Sequence, residues 1–254
     1  MIESALVAAA SVERLRRLGI FTTDVRTVLG HAGAQAFSRE AAAVVHFLTT
    51  AGLDASLVGP GLSRSAIFDL GLAPCVLDLF GRAMETRHVL TAVHARHDDA
   101  RQLPGHLRSW HIDAEDRRMI RMIVYLVDVT PDDAAFEGTP LTDRVERIRA
   151  QSEGDCLSNP MYRPVSDAEL SDLIPRNEWM VITGPKLTVV SVATGLILHH
   201  VRPGTGHRWS LTFTYLPRSS VPMALGAFPG WLTPGEKEAY GIEAAPSSRL
   251  VVQP

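Results

Sequence analysis

A chain of 254 residues with 46% hydrophobic and 21% charged side chains has the composition of a globular protein, which excludes disordered, collagen-like and coiled-coil chains. Its 25 basic and 28 acidic residues give a net charge of -3, so the composition does not indicate the basic surface that nucleic acid selects. Two cysteines cannot form a disulfide framework for this length. With no basic signal-peptide start and no apolar run of about 18 residues, we expect a cytoplasmic protein without a membrane span.

Three helices are predicted in the first third of the chain. Residues 3–18 are rich in alanine and carry leucine and valine near helical spacing, with Gly19 as a stop signal. Ser38 is expected to cap a second helix over residues 39–51. A third helix is predicted over residues 74–84.

From residue 87 the chain changes to short β-branched and aromatic segments divided by glycine, proline and aspartate clusters. This pattern is typical of an antiparallel sandwich or barrel. A helix is predicted within it over residues 141–151, followed by a long loop over residues 152–175. The predicted strands are residues 88–95, 118–129, 179–183, 187–201 and 209–216.

These elements predict one domain over residues 1–254. It comprises a helical N-terminal part (1–86), a β core (87–217) and a C-terminal tail (218–254). The tail is rich in proline and glycine, and it is expected to be ordered against the body because it contains Phe228, Trp231 and Tyr240.

The chain has ten histidines. The most informative are those with a nearby carboxylate on the same strand or helix, placed so that both side chains could reach one ion. Two H-x-D triplets occur, from His97 to Asp99 and from His111 to Asp113, and alternate residues of a strand face the same side. The first lies in a polar stretch and is predicted to be a solvated turn. The second precedes the most strand-like run and could hold a metal at the mouth of a barrel, with an ordinary surface pair as the other interpretation.

A second group of candidate residues lies in the strand, glycine-rich turn and strand predicted over residues 195–215. A hairpin of this shape brings the end of its first strand next to the start of its second. One face of the second strand is polar and begins with a fixed cation, since alternation places together Arg208, Ser210, Thr212 and Thr214.

On these residues the sequence resembles the Fe(II)/2-oxoglutarate-dependent dioxygenase superfamily, and within it the phytanoyl-CoA dioxygenase-like branch. The H-x-D…H motif of the family matches His111, Asp113 and His199. The distal H-x-V-x-P…R-x-S segment of the family begins at His199. Its other residues match Val201, Pro203, Arg208 and Ser210. The matching residues span positions 110 to 216, and their order, strand context and spacing agree with the family.

The sequence also departs from the family pattern. The Gly-Ser-His turn that many phytanoyl-type members carry after the third barrel strand is absent, and residues 136–140 stand in its place. A cupin assignment fits less well, because the H-x-H ligand pair of that family would need a second histidine where Asp113 stands.

The resemblance implies a mainly β fold with helices, in which a double-stranded β-helix (jelly-roll) core is preceded and flanked by helices. It implies that His111, Asp113 and His199 bind Fe(II) and leave three positions open for a chelating co-substrate and O2. It also implies that Arg208 meets the distal carboxylate of 2-oxoglutarate in a bidentate, charge-assisted pair that the Ser210 hydroxyl supports.

The implied function is oxidation of a C–H bond of a small molecule, by hydroxylation or oxidative cyclisation, in the tailoring of a bacterial natural product. Fe(II), 2-oxoglutarate and O2 are the expected cofactors, and a small molecule is the expected partner. Two alternatives stay open. One is a metal-dependent jelly-roll enzyme that does not use 2-oxoglutarate, against which Arg208 and Ser210 argue. The other is a non-catalytic β-sandwich that binds sugar or peptide.

The adjacent histidines His199 and His200 compete for the same role. Consecutive strand residues point to opposite faces, so only one of them can bind the ion. The family places its ligand two residues before a valine and four before a proline, and Val201 and Pro203 thus favour His199. His200 is then expected to point away, toward packing or solvent.

Other residues near the motif have two interpretations each. The basic cluster of Arg117, Arg118 and Arg121 either meets an acidic substrate or belongs to solvated strand ends. Trp110, next to His111, either shapes the site or fills the core.

Overall fold

The computed structural model describes residues 9–51, 55–56, 65–113, 115–152 and 165–220. Within these ranges, helices dominate the first third and antiparallel strands the remainder. The helices are α1 (Ala9–Leu18), α2 (Val25–Ala51), α3 (Ala66–Gly71), α4 (Pro74–Met84), α5 (Gly105–Arg108), α6 (Asp143–Ser152) and α7 (Asp167–Leu173). The strands are β1 (Ile20–Asp24), β2 (Ala55–Ser56), β3 (His88–Asp99), β4 (Ile120–Tyr125), β5 (Phe136–Gly138), β6 (Met180–Ile182), β7 (Thr188–Val192), β8 (His199–Val201) and β9 (His207–Pro217).

Antiparallel pairing joins these strands into two sheets. The larger sheet has six strands in the order β1-β7-β4-β9-β3-β2, and the smaller has three in the order β6-β5-β8. The longest ladder joins β3 to β9, from His88 opposite Pro217 to Asp99 opposite His207. From β4 onward the chain crosses repeatedly from one sheet to the other, which is typical of a jelly roll.

The two sheets face each other across an apolar layer. Ile123 and Tyr125 of β4 reach this layer from the larger sheet, and Phe136 of β5 reaches it from the smaller sheet. Val124, which lies between the two β4 residues, packs instead against the helices. Ser210 of β9 stands opposite Tyr125, so the polar face of β9 also points into the space between the sheets.

Helices cover the outer faces of both sheets. On the larger sheet, α1, α2 and α4 bury a cluster that includes Leu15, Phe37, Phe80 and Phe213. Beside the smaller sheet, α6 and α7 bury another that includes Trp110, Val145, Leu170 and Leu198. Within the described ranges, no helix is long and apolar enough to cross a membrane.

The helix predictions are confirmed with one exception. In its described part the first helix ends at Leu18 as predicted, and α4 and α6 occupy the predicted regions. The predicted start of the second helix is wrong, because α2 begins at Val25 and Ser38 lies inside it. The carboxylate of Asp24 accepts a hydrogen bond from the backbone N–H of Thr27 at 2.9 Å and caps the first part of α2, which is kinked at Gly30 by a non-helical backbone (φ 71°, ψ 179°).

The strand predicted over residues 187–201 is two strands. A turn in which Leu196 N–H donates to Ala193 O at 2.9 Å separates β7 from β8. The hairpin predicted over residues 195–215 is wrong for the same reason, since β8 belongs to the smaller sheet and β9 to the larger. The glycine-rich segment between them is a crossover from sheet to sheet.

The solvated turn predicted from His97 to Asp99 is also wrong. These residues continue β3, and Asp98 is only 4% exposed. Asp98 stands opposite Arg208 of β9, so a distant strand supplies both the backbone partner and the counter-charge that allow a polar stretch to be buried.

The loop predicted over residues 152–175 contains α7, whose start is fixed by a capping box between Ser166 and Glu169. Residues 153–164 lie outside the described ranges. The prediction of an ordered tail depended on three aromatic residues that also lie outside the described ranges: Phe228, Trp231 and Tyr240.

Gly19 and Gly30 share a backbone φ of +71° but differ in surroundings. A Cβ added at Gly19 would lie 2.5 Å from Cγ2 of Ile197, whereas one at Gly30 would meet nothing within 4 Å. Gly30 has φ +71° and ψ 179°, a combination essentially restricted to glycine, so we expect Gly30→Ala to lower the free energy of unfolding by about 1–2 kcal/mol through the backbone alone. We expect Gly19→Ala to lower it by about 2–4 kcal/mol, because the clash adds to that strain. Chemical denaturation of both variants measures the difference, and equal losses would contradict the contact.

Candidate metal centre

Backbone pairing brings the two motif histidines together. His111 and His199 lie directly opposite each other and exchange two N–H···O bonds, at 3.0 and 2.9 Å. Directly opposed residues of an antiparallel pair project to the same face. Asp113, two residues further on, projects to that face as well, and its N–H donates to Thr194 O at 3.0 Å.

The three side chains form a compact buried cluster. One ligand atom from each of His111, Asp113 and His199 lies within 4.8 Å of the others, and no second group of this kind occurs among the described residues. Nε2 of His111 is 3.9 Å from Oδ1 of Asp113, and Nε2 of His199 is 3.9 Å from Oδ2. The centroids of the two imidazole rings are 4.3 Å apart. One cation could therefore contact all three residues.

Hydrogen bonds orient both imidazoles. Nδ1 of His111 lies 2.9 Å from the backbone carbonyl of Ser109, and Nδ1 of His199 lies 3.2 Å from that of Ile197. A carbonyl oxygen only accepts, so each Nδ1 carries the proton and donates it. Each Nε2 then has a free lone pair that points into the cluster, as metal-binding histidines require.

Burial sets the charge of this donor set. It lowers the pKa of His199 to about 3 and also lowers the pKa of His111, so both rings are neutral near pH 7. Burial by itself would raise the pKa of Asp113, but the charged guanidinium of Arg121, 2.8 Å away, outweighs it and holds that pKa below its ordinary value. The cluster thus presents two neutral nitrogens and one carboxylate.

Arg121 is a member of the site that the sequence did not single out from its basic neighbours. Its Nε lies 2.8 Å from Oδ2 of Asp113, an ion pair without the alignment of a hydrogen bond. Its Nη2 lies 3.3 Å from Glu115. Alternation along β4 could have identified Arg121 from the sequence. It shares a strand face with Ile123 and Tyr125, which point between the sheets.

The other two arginines of the predicted basic cluster are engaged elsewhere. Arg117 pairs with Glu146 at 2.9 Å, and Arg118 lies 3.6 Å from Asp116. The three arginines therefore do not form one basic surface for an acidic substrate.

His200 lies on the opposite face of β8 from His199 and outside the cluster. Its Nε2 is 2.8 Å from a carboxylate oxygen of Glu137, and its Nδ1 is 2.8 Å from the carbonyl of Arg108. The ring of Trp110 stacks on it, with ring centroids 4.0 Å apart. Both Trp110 and His200 are thus packed on the outer side of the smaller sheet, away from the ligand atoms.

Arg208 and Ser210 lie on the inner face of β9, and both are buried. Nη2 and Nε of Arg208 contact Oδ2 of Asp98 at 2.8 and 3.3 Å. Nη1 of Arg208 and Oγ of Ser210 are buried, and neither has a hydrogen-bond partner in the described part of the chain. Buried polar atoms without partners are rare in native proteins, so both atoms have hydrogen-bonding capacity that the described residues do not use.

The first triplet does not join the metal cluster. Asp98 pairs with Arg208, and His97 lies on the other face of β3, where its ring stacks on Trp209 with centroids 4.4 Å apart. Nε2 of His97 is 3.1 Å from Nδ1 of His207. This triplet therefore contributes a counter-ion to the polar face of β9 and no ligand to the metal cluster.

The sequence matches no known protein family and no curated protein, but solved structures share its architecture. EctD from S. alaskensis with bound Fe superposes with a TM-score of 0.58 at 16% identity, over 96% of this chain and 88% of that chain. The epimerase SnoN in complex with Fe3+, alpha ketoglutarate and nogalamycin RO gives 0.52 at 14% identity, over 87% and 90%. The non-heme monooxygenase ThoJ gives 0.51 at 16% identity, over 81% and 76%.

This chain has the jelly-roll fold of these proteins. The predicted double-stranded β-helix core with flanking helices is confirmed, and the resemblance to Fe(II)/2-oxoglutarate oxygenases holds at the level of the fold. Fold alone does not carry activity. The phytanoyl-CoA dioxygenase-like branch stays a prediction.

The two adjacent histidines allow a matched test of the metal centre. We expect His199→Gln to weaken Fe(II) binding by more than about 100-fold, because loss of a direct ligand exceeds the 10- to 100-fold typical of outer partners. His200→Gln keeps a donor toward Glu137 and should leave the Fe(II) affinity close to that of the wild type. Anaerobic calorimetric titration with Fe(II) measures both. A loss confined to the His200 variant would place the metal on the other face of β8.

Proposed function

We propose that this protein is a non-haem Fe(II)/2-oxoglutarate-dependent oxygenase that oxidises a C–H bond of a small molecule. The observation that carries the proposal is the buried set of His111, Asp113 and His199, whose ligand atoms converge within 4.8 Å. Two imidazoles and one carboxylate on one face of an ion are typical of Fe(II) oxygenases, because they leave three positions open for reactants.

The donor set fits Fe(II) in its charge as well as in its geometry. Neutral imidazoles need no deprotonation before they bind a metal, and a single carboxylate offsets one of the two charges of the ion. Arg121 contacts the Asp113 oxygen that faces His199. This contact limits rotation of the carboxylate, so Asp113 is held in place before the ion arrives.

The polar face of β9 fits the co-substrate. Nη1 of Arg208 and the Ser210 hydroxyl are buried donors without partners among the described residues, and a carboxylate accepts from both. Asp98 already occupies the Nε–Nη2 edge of Arg208. The distal carboxylate of 2-oxoglutarate would therefore contact the Nη1 end of the guanidinium and the neighbouring hydroxyl.

The surrounding side chains keep water away from the cluster. The ring of Phe136 stacks on His199 with centroids 5.6 Å apart, and Val190, Val192 and Ile197 are fully buried in the same apolar layer. When bound, iron and 2-oxoglutarate supply oxidation of the substrate by O2, coupled to decarboxylation of 2-oxoglutarate to succinate. The protein contributes positioning and a dry environment that protects the reaction from solvent.

A small-molecule substrate agrees with what related folds accommodate. SnoN was crystallised with nogalamycin RO, and EctD with 2-oxoglutarate and 5-hydroxyectoine. We extend the proposal to the tailoring of a bacterial natural product by hydroxylation or oxidative cyclisation. Hydroxylation, oxidative cyclisation and epimerisation can all begin by hydrogen abstraction from carbon. Only analysis of the product therefore distinguishes them.

Release of succinate is the direct test of the proposed activity. We expect the wild-type protein to form succinate only when Fe(II), 2-oxoglutarate and O2 are all present, and Asp113→Ala to form none above background. Succinate formation that persists in Asp113→Ala would contradict the assigned ligand. Turnover with metal but without 2-oxoglutarate would support the metal-dependent alternative, and a folded wild type with no metal affinity would support a non-catalytic binding module.

Ser210 allows a test of the co-substrate site that leaves the rest of the fold intact, because its Oγ has no partner to lose among the described residues. We expect Ser210→Ala to weaken 2-oxoglutarate binding by about 1–2 kcal/mol, or roughly 5- to 30-fold, and to leave Fe(II) binding unchanged. Ser191→Ala is the matched control, since Ser191 is buried and stands opposite Met122, which packs against the helices on the outer face of the larger sheet. Equal effects of the two substitutions would remove the 2-oxoglutarate assignment.

A further inference from the structure

Asp98 is a buried carboxylate that neither the motif nor the metal centre explains. It stands opposite Arg208 across the β3–β9 ladder and is 4% exposed. Its two oxygens have separate partners. Oδ2 contacts Nη2 and Nε of Arg208 at 2.8 and 3.3 Å, and Oδ1 accepts from Nη2 of Arg96 at 2.8 Å.

This arrangement fixes the direction in which Arg208 presents its charge. Free arginine has several rotatable bonds and five donors. Here Asp98 holds the Nε–Nη2 edge, and Nη1 is left buried without a partner among the described residues, on the strand face that also carries Ser210. The orientation of the anchor is therefore set before any ligand binds, which lowers the entropic cost of binding.

Both members of the buried ion pair keep their charges. Burial opposes the charge of Asp98, but Arg208 and Arg96 outweigh it and hold the pKa of the carboxyl below its ordinary value. Burial likewise opposes the charge of Arg208, and Asp98 together with Tyr125 outweighs it and holds the pKa of the guanidinium above its ordinary value. Both groups remain ionised at neutral pH.

We propose that Asp98 is a positioning residue for the co-substrate site, which aims Arg208 at the distal carboxylate and so makes the protein select a dicarboxylic 2-oxo acid over a monocarboxylic one. This inference rests on the proposed function, because it concerns the group that Arg208 binds. Asp98 itself contacts neither the metal cluster residues nor Ser210 among the described hydrogen bonds and ion pairs, so it acts through Arg208.

The test compares two 2-oxo acids on the Fe(II)-loaded protein under nitrogen. 2-Oxoglutarate carries the distal carboxylate, and 2-oxopentanoate has the same five-carbon keto acid without it. We expect Asp98→Asn to raise the dissociation constant for 2-oxoglutarate by about 10- to 100-fold, because a misplaced guanidinium loses a hydrogen bond to a charged group. Its dissociation constants for 2-oxopentanoate and for Fe(II) should remain close to the wild-type values.

Asp99→Asn is the control variant. Asp99 is the next residue of β3, lies on the other face and pairs with Arg101 at 3.0 Å. It should leave both dissociation constants unchanged. A structural role of Asp98 alone would weaken binding of both 2-oxo acids and of Fe(II) together, and that result would overturn the inference, as would an unchanged affinity for 2-oxoglutarate.

Asp98→Glu covers the case in which Asp98→Asn does not fold. It retains the counter-charge of Arg208 but moves it by one methylene, so a positioning role still predicts a selective loss of 2-oxoglutarate affinity. Wild-type affinity in a folded Asp98→Glu variant would overturn the inference. A wild-type protein that binds Fe(II) but does not distinguish the two 2-oxo acids would instead refute the proposed use of 2-oxoglutarate.

Discussion

The site depends on the antiparallel pairing of His111 with His199. Two backbone hydrogen bonds join these residues across a sequence separation of 88 positions, and this register places both imidazoles on the inner face of the smaller sheet. A shift by one residue would turn His199 outward and His200 inward. The contact of His200 with Glu137 at 2.8 Å on the outer face opposes such a shift, because losing it would leave one oxygen of a buried carboxylate without its donor.

The space between the sheets combines an apolar layer with charged groups that are each compensated. Arg121 pairs with Asp113 and Arg208 pairs with Asp98, both at 2.8 Å. Uncompensated charges would be too costly in this environment, so each of these two guanidinium groups contacts a carboxylate, although Arg208 shares Asp98 with Arg96. The same pairing that permits burial also limits side-chain motion, and this favours a site whose geometry exists before its ligands bind.

Several features of the fold and site could be predicted from local sequence. H-x-D spacing identifies an imidazole and a carboxylate on one strand face, and the alternation of β9 identifies Arg208 and Ser210 as neighbours on another. Other features depended on partners far away in the chain. Asp98 follows a histidine in a polar stretch that is typical of a turn, yet pairing with β9 makes it a buried strand residue. Alternation on β4 marks the face of Arg121 but does not reveal the carboxylate that it meets.

The sequence by itself determined the types of donor, the order in which they occur and the face on which each lies, because these follow from residue chemistry and a two-residue strand period. Only the tertiary structure decided which faces meet. It assigned β8 and β9 to different sheets where a hairpin was expected, and it joined Asp98 to Arg208 and Arg121 to Asp113. The reason is physical: strand pairing and charge compensation act between residues that are close in space but distant in sequence.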